Sequence, residues 1–163
     1  MPVEIRPGNI YLFKERKPDR TFRISRQFSD AGKRVFCVTR LHPDQLRENY
    51  GIPPEKVLWL SNAVGERNVN PQNVGILTDV LIKFFEKERG VVLVLEGLEY
   101  LILQNDFPKI LKFVNYLYEA VTMNKGVLLS TIDPRAFSTQ ELAFLEKNTV
   151  SVEEQDKVSL PPQ

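Results

Sequence analysis

Hydrophobic positions along the chain fall into short apolar runs that alternate with longer stretches of helical spacing. Apolar runs of strand length lie at Asn9 to Phe13, Arg34 to Arg40, Lys56 to Leu60, Val91 to Leu95, Val127 to Ile132 and, as an edge strand, Thr149 to Val152. Some are nearly continuous in apolar residues, as strands covered on both faces should be. This alternation predicts an α/β domain of three layers, a mostly parallel sheet of about five or six strands with helices on both faces.

The intervening stretches carry apolar residues at the three-and-four spacing of a helix with one buried face. The longest helices are predicted from Pro71 to about Arg89 and from Phe107 to Val121. Shorter ones are expected around Phe22 to Phe28 and from Pro43 to Gly51, because proline suits a first turn and glycine a helix end. A capping box, Ser138-Thr139-Gln140-Glu141, predicts the start of the last helix.

Length and composition fit a single domain. At 163 residues, with 42% hydrophobic and 26% charged residues, the chain matches an ordinary globular protein. We predict one domain over residues 1–153 and a disordered tail over residues 154–163, which contains Pro161 and Pro162.

Targeting signals are not evident. Cys37 is the single cysteine, so no disulfide can form within the chain, and a buried inert thiol is expected. The N-terminus lacks the apolar core of a signal peptide, and no apolar run approaches the roughly 18 residues of a membrane span. These features predict a cytoplasmic protein with no membrane partner.

The segment from Val91 to Ile102 is the most informative for function. An apolar strand ends there in Glu96 and Gly97, which is the outline of the second nucleotide-binding strand of a P-loop ATPase. In those enzymes the carboxylate holds Mg²⁺ or its water, and a Gly-x-x-x-x-Gly-Lys-Ser/Thr loop cradles the phosphates. This sequence contains no such loop. It therefore predicts a RecA-like or P-loop-like fold without the Walker A motif, and favours a protein that is not an enzyme.

The segment from Lys14 to Arg23 stands where a phosphate loop would follow the first strand. It contains no glycine, so its backbone amides cannot readily form an anion nest. We interpret it as a solvated loop whose basic side chains could still meet an acidic partner or a phosphate. Residues 1–40 carry ten Lys and Arg against four acids, yet the net charge of +1 and the lack of a recognition helix argue against nucleic acid as a partner.

Several segments together resemble a known family. They include Leu95-Glu96-Gly97-Leu98-Glu99-Tyr100-Leu101-Ile102, Asn105-Asp106-Phe107, Asp133-Pro134-Arg135-Ala136-Phe137 and Val57-Leu58-Trp59-Leu60. From about Gly8 to Glu146 the chain is similar to the archaeal domain-of-unknown-function family eight hundred and thirty-five. The resemblance implies a cytoplasmic archaeal domain, alone or attached to sensory and signalling modules, which resembles RecA-type ATPases that have lost their phosphate loop.

Polar residues are expected to gather at the carboxyl ends of the strands, where ligands of parallel sheets usually sit. The candidate ligand-binding residues are Arg40, Glu96, Glu99, Asp133 and Arg135, on a rim that also includes Lys14, Glu15, Thr39, His42, Ser61, Asn62 and Thr131. In a functional interpretation, Glu96 is a relic metal or water ligand, and Arg40 or Arg135 clamps a small anion. In a structural interpretation, which we favour, Glu96 or its neighbour caps the following helix, and Arg40 pairs with Glu96 or Asp133.

Other chemistry has little support. One His and one Cys cannot build a usual zinc site, and no Gly-x-Ser-x-Gly elbow supports a catalytic triad. Glu96 and Glu99 could form a pair for acid and base work, but their spacing equally sends them to different environments. We predict no catalytic residue, no metal ligand and no cofactor.

Aromatic residues suggest a protein interface. Tyr100, Phe113 and Tyr116, with Trp59, are candidate exposed anchors, because Phe113 and Tyr116 fall off the main apolar stripe of their helix. They predict a protein partner or a homo-oligomer, unless they pack under a neighbouring helix.

Three functional hypotheses follow. The first is a non-enzymatic interaction or regulatory module in cytoplasmic signalling, on a degenerate nucleotide-binding fold. The alternative is a ligand-sensing domain that binds a nucleotide or small anion at the carboxyl ends of the strands. The third, an active ATPase, needs a phosphate site that the sequence does not contain.

Overall fold

Nine strands and six α-helices make up the computed structural model, which describes residues 1–162. The strands are β1 (Pro2–Glu4), β2 (Asn9–Lys14), β3 (Val35–Thr39), β4 (Val57–Leu60), β5 (Asn68–Val69), β6 (Val92–Glu96), β7 (Val127–Ile132), β8 (Val150–Val152) and β9 (Lys157–Ser159). The helices are α1 (Asp19–Asp30), α2 (Pro43–Tyr50), α3 (Val74–Lys87), α4 (Leu98–Gln104), α5 (Phe107–Met123) and α6 (Thr139–Glu146). Short 3₁₀ turns occupy Pro54–Lys56 and Pro134–Ala136.

The main sheet has seven strands in the order β5-β4-β3-β6-β7-β2-β8, and every neighbouring pair is parallel. The predicted parallel α/β architecture is confirmed. The additional strand is β5, a two-residue edge that pairs with β4. Strands β6 and β7, which come later in the chain, lie between β3 and β2 in the sheet. Because all four strands are parallel, the carboxyl ends of β2, β7, β6 and β3 lie side by side.

Two apolar clusters cover the two faces of the sheet, as predicted. Alternate residues of a strand point to opposite faces: in β6, Leu93 and Leu95 belong to the cluster with α3, α4, α5 and α6, whereas Val92 and Val94 belong to the cluster with α1 and α2. The result is three layers. Among residues 1–162, no helix has both the length and the apolar character that crossing a membrane requires.

The C-terminal segment differs from the prediction of a disordered tail. Residues 157–159 form β9, which pairs in parallel with β1 in a separate two-stranded sheet. The amide of Ile5 also donates to the carbonyl of Ser159 at 2.9 Å, and Val3 and Val158 pack against the α1 side of the core. The prediction is wrong here because the pairing joins the two ends of the chain. Gln163 of the predicted tail lies outside the described residues.

Candidate functional site

The carboxyl end of β2 leads through a short loop into α1, at the position of a phosphate loop. The residue before the helix is Pro18, which makes no capping hydrogen bond. The first amides of α1 therefore need another acceptor, because no carbonyl within the helix can reach them.

Glu15 supplies that acceptor. Its carboxylate accepts hydrogen bonds from the amides of Arg20 (3.0 Å) and Thr21 (3.2 Å). It also accepts hydrogen bonds from two hydroxyls. One belongs to Thr21, and the other belongs to Thr131 near the end of β7, which donates at 3.1 Å. Both hydroxyl residues are buried, and the amide of Glu15 donates to the carbonyl of Ile132 at 2.9 Å. An internal carboxylate thus occupies a helix N-terminus that suits an anion by its amides and its dipole.

Glu15 was expected on the rim of the strand ends, without a specific role. The interpretation of its segment as a solvated loop is wrong for this residue, because its carboxylate is engaged by internal donors. The nearby Lys14 is also engaged, since its ammonium lies 3.2 Å from both Glu146 and Glu153. Arg16 and Lys17 are exposed, as expected. The sequence does contain one signal for this contact. Helix α1 starts directly after Pro18, which leaves its first amides uncapped, and the carboxylate of Glu15 lies three residues before that proline.

Glu96, at the end of β6, faces β3. Its carboxylate accepts the hydroxyl of Thr39 at 2.6 Å and the amide of Arg40 at 3.1 Å. The expectation that Glu96 or its neighbour caps α4 is not met by any side chain, because Gly97 takes the N-cap position and no side-chain capping bond forms. Glu96 therefore links the ends of two neighbouring strands.

Arg40 forms no ion pair with any acid among residues 1–162, so the predicted pairing with Glu96 or Asp133 is wrong. Its guanidinium donates to the carbonyl of Leu60 at 3.1 Å and lies 4.4 Å from the ring centroid of Tyr100. A planar cation over an aromatic face is favourable. Gly97 permits this approach, since a Cβ there would lie 3.2 Å from the Cβ of Arg40, and its φ is +112°.

Glu99, Asp133 and Arg135 form a second group, at the end of β7. Glu99 accepts the amide of Asp133 at 2.9 Å, and burial raises the pKa of Glu99. The Arg135 guanidinium donates to both oxygens of Asp133, the shortest bond being 2.6 Å, and holds the pKa of Asp133 down at about 2. The five predicted ligand residues therefore form two separate groups, each satisfied by internal partners.

Cavities lie beside these groups rather than between them. One of about 270 Å³ lies between α1, β3 and the segment from Gly51 to Lys56. Two shallower grooves, of about 430 and 490 Å³, flank α1. None of the three is lined by the five candidate residues.

Reactive chemistry is scarce in the part of the chain that the structure describes. No group of three or more His, Cys, Asp and Glu residues there could hold a metal ion. Cys37 is buried in β3, and burial raises the pKa of its thiol to about 12. The arrangement can join strands and cap helices, and its carboxylates are occupied by internal donors.

The three predicted interface aromatics differ in exposure. Phe113 is 1% exposed and belongs to the core, so its prediction as an exposed anchor is wrong. The reason is that α5 packs against α3, α4 and α6 as well as the sheet, which buries a wider arc of the helix than one stripe. Tyr116 is 55% exposed, as expected, and Tyr100 is half-buried beneath Arg40.

Comparison with protein families gives one match. Residues 14–148 match the model of the family described as "Protein of unknown function (DUF835)". This confirms the family that the sequence resembles. None of the curated proteins matches the sequence.

Solved structures identify the fold as RecA-like. The flagellar accessory protein FlaH from Methanocaldococcus jannaschii is similar at a TM-score of 0.61 and 17% identity, over 91% of this chain and 72% of that one. A protein of Pyrococcus horikoshii OT3, PH0250, is similar at a TM-score of 0.59 and 14% identity, over 91% of this chain and 82% of that one. At these identities the likeness concerns the fold alone.

Proposed function

Because this chain belongs to a family described as "Protein of unknown function (DUF835)", we propose a function from its own side chains: a non-enzymatic regulatory or protein-interaction module built on a RecA-like fold. Its setting is cytoplasmic signalling, and its partner is a protein or a second copy of the chain. The setting rests on the family resemblance, and the non-enzymatic character rests on the site.

The observation that carries the proposal is the Glu15 carboxylate at the N-terminus of α1. A nucleotide phosphate bound there in the manner of a P-loop enzyme would meet a carboxylate that already uses the amides of Arg20 and Thr21. Two like charges 4 Å apart repel by about 4 kcal/mol at an effective dielectric constant of about 20. That repulsion corresponds to a loss of affinity of roughly a thousandfold. The same carboxylate keeps two buried hydroxyls satisfied, so moving it aside has a further cost.

Glu96 supports the proposal independently. In a P-loop ATPase the corresponding carboxylate serves Mg²⁺ or its water. Here it holds the hydroxyl of Thr39 and the amide of Arg40. Both positions that nucleotide chemistry would need are used to join β2, β3, β6 and β7 at their carboxyl ends, which favours a firm scaffold for a partner.

Isothermal titration calorimetry with MgATP, MgADP and MgGTP tests the proposal, together with an ATP hydrolysis assay. We expect no heat of binding and no turnover from the wild-type protein. Binding in the micromolar range that Glu96→Gln weakens, while Glu119→Ala on the exposed side of α5 leaves it unchanged, would contradict the proposal. It would favour the alternative, a sensor that binds a nucleotide or small anion at the strand ends.

A further inference from the structure

Helix α1 and the loop before it present a row of cations. We define the α1 basic surface as Arg16, Lys17, Arg20, Arg23 and Arg26. The three helical arginines follow one another at intervals of three residues, which places them along one side of the helix. All five are exposed except Arg20, which is partly buried.

These cations differ in how they are engaged. Arg20 donates to the carbonyls of Glu153 (2.8 Å) and Glu154 (3.3 Å), which anchors its side chain. Arg26 lies 3.6 Å from Asp30. Within residues 1–162, the side chains of Arg16, Lys17 and Arg23 make neither a hydrogen bond nor an ion pair. Three exposed cations are therefore free to bind an external anion.

Two grooves follow this surface in series. The groove of about 430 Å³ is lined by Arg16, Lys17, Arg20 and Arg23, and the groove of about 490 Å³ is lined by Arg23 and Arg26. They meet at Asp19 and Arg23, which line both. Asp19 accepts the hydroxyl of Tyr50, and that ring stacks on Phe22 at a centroid distance of 4.7 Å. The result is an elongated trough with a cationic rim.

We propose that the α1 basic surface binds an acidic, extended peptide segment of a protein partner. The inference rests on the proposed function, because it names the partner class of the interaction module. The geometry fits: a rise of about 1.5 Å per helical residue separates successive arginines by about 4.5 Å along α1. Alternate side chains of an extended peptide lie about 7 Å apart, so carboxylates at alternate positions can meet arginines spread over about 9 Å of helix. Arginine forks and carboxylates match in shape and charge.

The details favour a peptide over a nucleic acid. Phe13 and Phe22, which line the grooves, are at most 1% exposed, and the ring of Tyr50 is half-buried and already stacked on Phe22, so little aromatic face is left there on which bases could stack. Asp19 and Glu154 also line the grooves, and they would repel a continuous phosphate backbone. A peptide with separated acids can keep its carboxylates away from both. The net charge of +1 gives little general attraction for nucleic acid.

The test is fluorescence anisotropy with three labelled probes: a decapeptide of alternating Glu and Ser, the same peptide with Gln in place of Glu, and a ten-residue oligo-dT. The double variant Arg16→Glu, Arg23→Glu is compared with Lys109→Glu, Lys112→Glu. The control pair has the same change in charge, and both of its residues are exposed on α5, across the sheet. Circular dichroism checks that all proteins are folded.

We expect the Glu peptide to bind the wild-type protein, less tightly as salt is added, and the Gln peptide not to bind. The α1 variant should weaken binding at least about tenfold, which corresponds to about 1.4 kcal/mol, and the control less than about twofold. No binding of the Glu peptide, or an equal loss in both variants, would overturn the proposal. Tighter binding of oligo-dT that the α1 variant abolishes would also overturn it, in favour of nucleic acid.

Failure of this inference and failure of the proposed function are distinguishable. The nucleotide titration tests the crevice through Glu96, whereas the peptide assay tests exposed side chains of α1. A protein that binds MgATP and the Glu peptide would contradict the proposed function in favour of a nucleotide sensor and leave the peptide surface standing. A protein that binds neither would refute only the peptide surface.

Discussion

Replacing Glu15 by alanine removes the acceptor at the N-terminus of α1. We expect this substitution to destabilise the protein far more than the replacement of an exposed acid. The change leaves the amides of Arg20 and Thr21 without their side-chain acceptor. It also takes away the partner of two buried hydroxyls, those of Thr21 and Thr131. The helix begins at Asp19 after a proline that makes no capping hydrogen bond to replace it.

The magnitude follows from these parts. Loss of a capping acceptor costs about 1 kcal/mol, and loss of a negative charge at a helix N-terminus about 0.5 kcal/mol. Each buried hydroxyl left without a partner costs about 1 kcal/mol or more. Water entering the vacated space offsets part of the sum, so we expect the free energy of unfolding to fall by about 2 to 4 kcal/mol. Glu15→Gln, which keeps one oxygen acceptor, should lose less.

Urea unfolding followed by circular dichroism measures this difference, with Glu119→Ala as the control. Glu119 is an exposed acid within α5, so its replacement should change the free energy of unfolding by less than about 0.5 kcal/mol. A double-mutant cycle with Thr131→Val isolates the contact to β7, and we expect a coupling energy of at least about 0.5 kcal/mol. A Glu15→Ala protein as stable as the control would refute the assigned role of this carboxylate.

Three further predictions concern other parts of the molecule. The pKa of Asp133 is lowered to about 2 in the folded protein, so its pairing with Arg135 contributes stability above the ordinary pKa of about 4, which is lost as the pH falls towards 2. Carbon-13 NMR should show the pKa of Asp133 rising in Arg135→Ala, and an unchanged pKa would refute the pairing. In urea unfolding, Phe113→Ala should lower the free energy of unfolding by about 3 to 5 kcal/mol, and Tyr116→Ala should lower it by less than about 1 kcal/mol. Equal losses would contradict the burial of Phe113 and the exposure of Tyr116. Deleting residues 157–163 removes β9 and should lower the free energy of unfolding by roughly 2 kcal/mol, whereas wild-type stability would show that the pairing with β1 contributes nothing.

The strands of the sheet could be predicted because each is marked by a local pattern in the sequence. The run that becomes β6 is apolar throughout and ends in an acid and a glycine, and the segments between strands have clear helical spacing. The capping box at Ser138 is also a local signal, and the structure contains it. The order of the strands depends on contacts between distant segments, and no local pattern specified it.

The candidate site depended on such distant contacts, and the predictions were weakest there. Glu15 meets Thr131 across 116 positions of sequence, and only the adjacency of β2 and β7 brings them together. Arg40 was expected to pair with an acid because opposite charges can be recognised in a sequence. Its guanidinium instead contacts the ring of Tyr100 and the carbonyl of Leu60. Pairing of β9 with β1 joins the chain ends, which no periodicity within either segment could show.

We infer that the Glu15 carboxylate holds the position at the N-terminus of α1 that a phosphate would occupy in a P-loop enzyme. Nitrogen-15 NMR of the amides of Arg20 and Thr21, in the wild-type protein and in Glu15→Gln, tests it most directly. We expect both amide resonances to move when Glu15 is changed and neither to move when MgATP is added to the wild-type protein. Shifts of these two amides on addition of MgATP, with little change in Glu15→Gln, would contradict it.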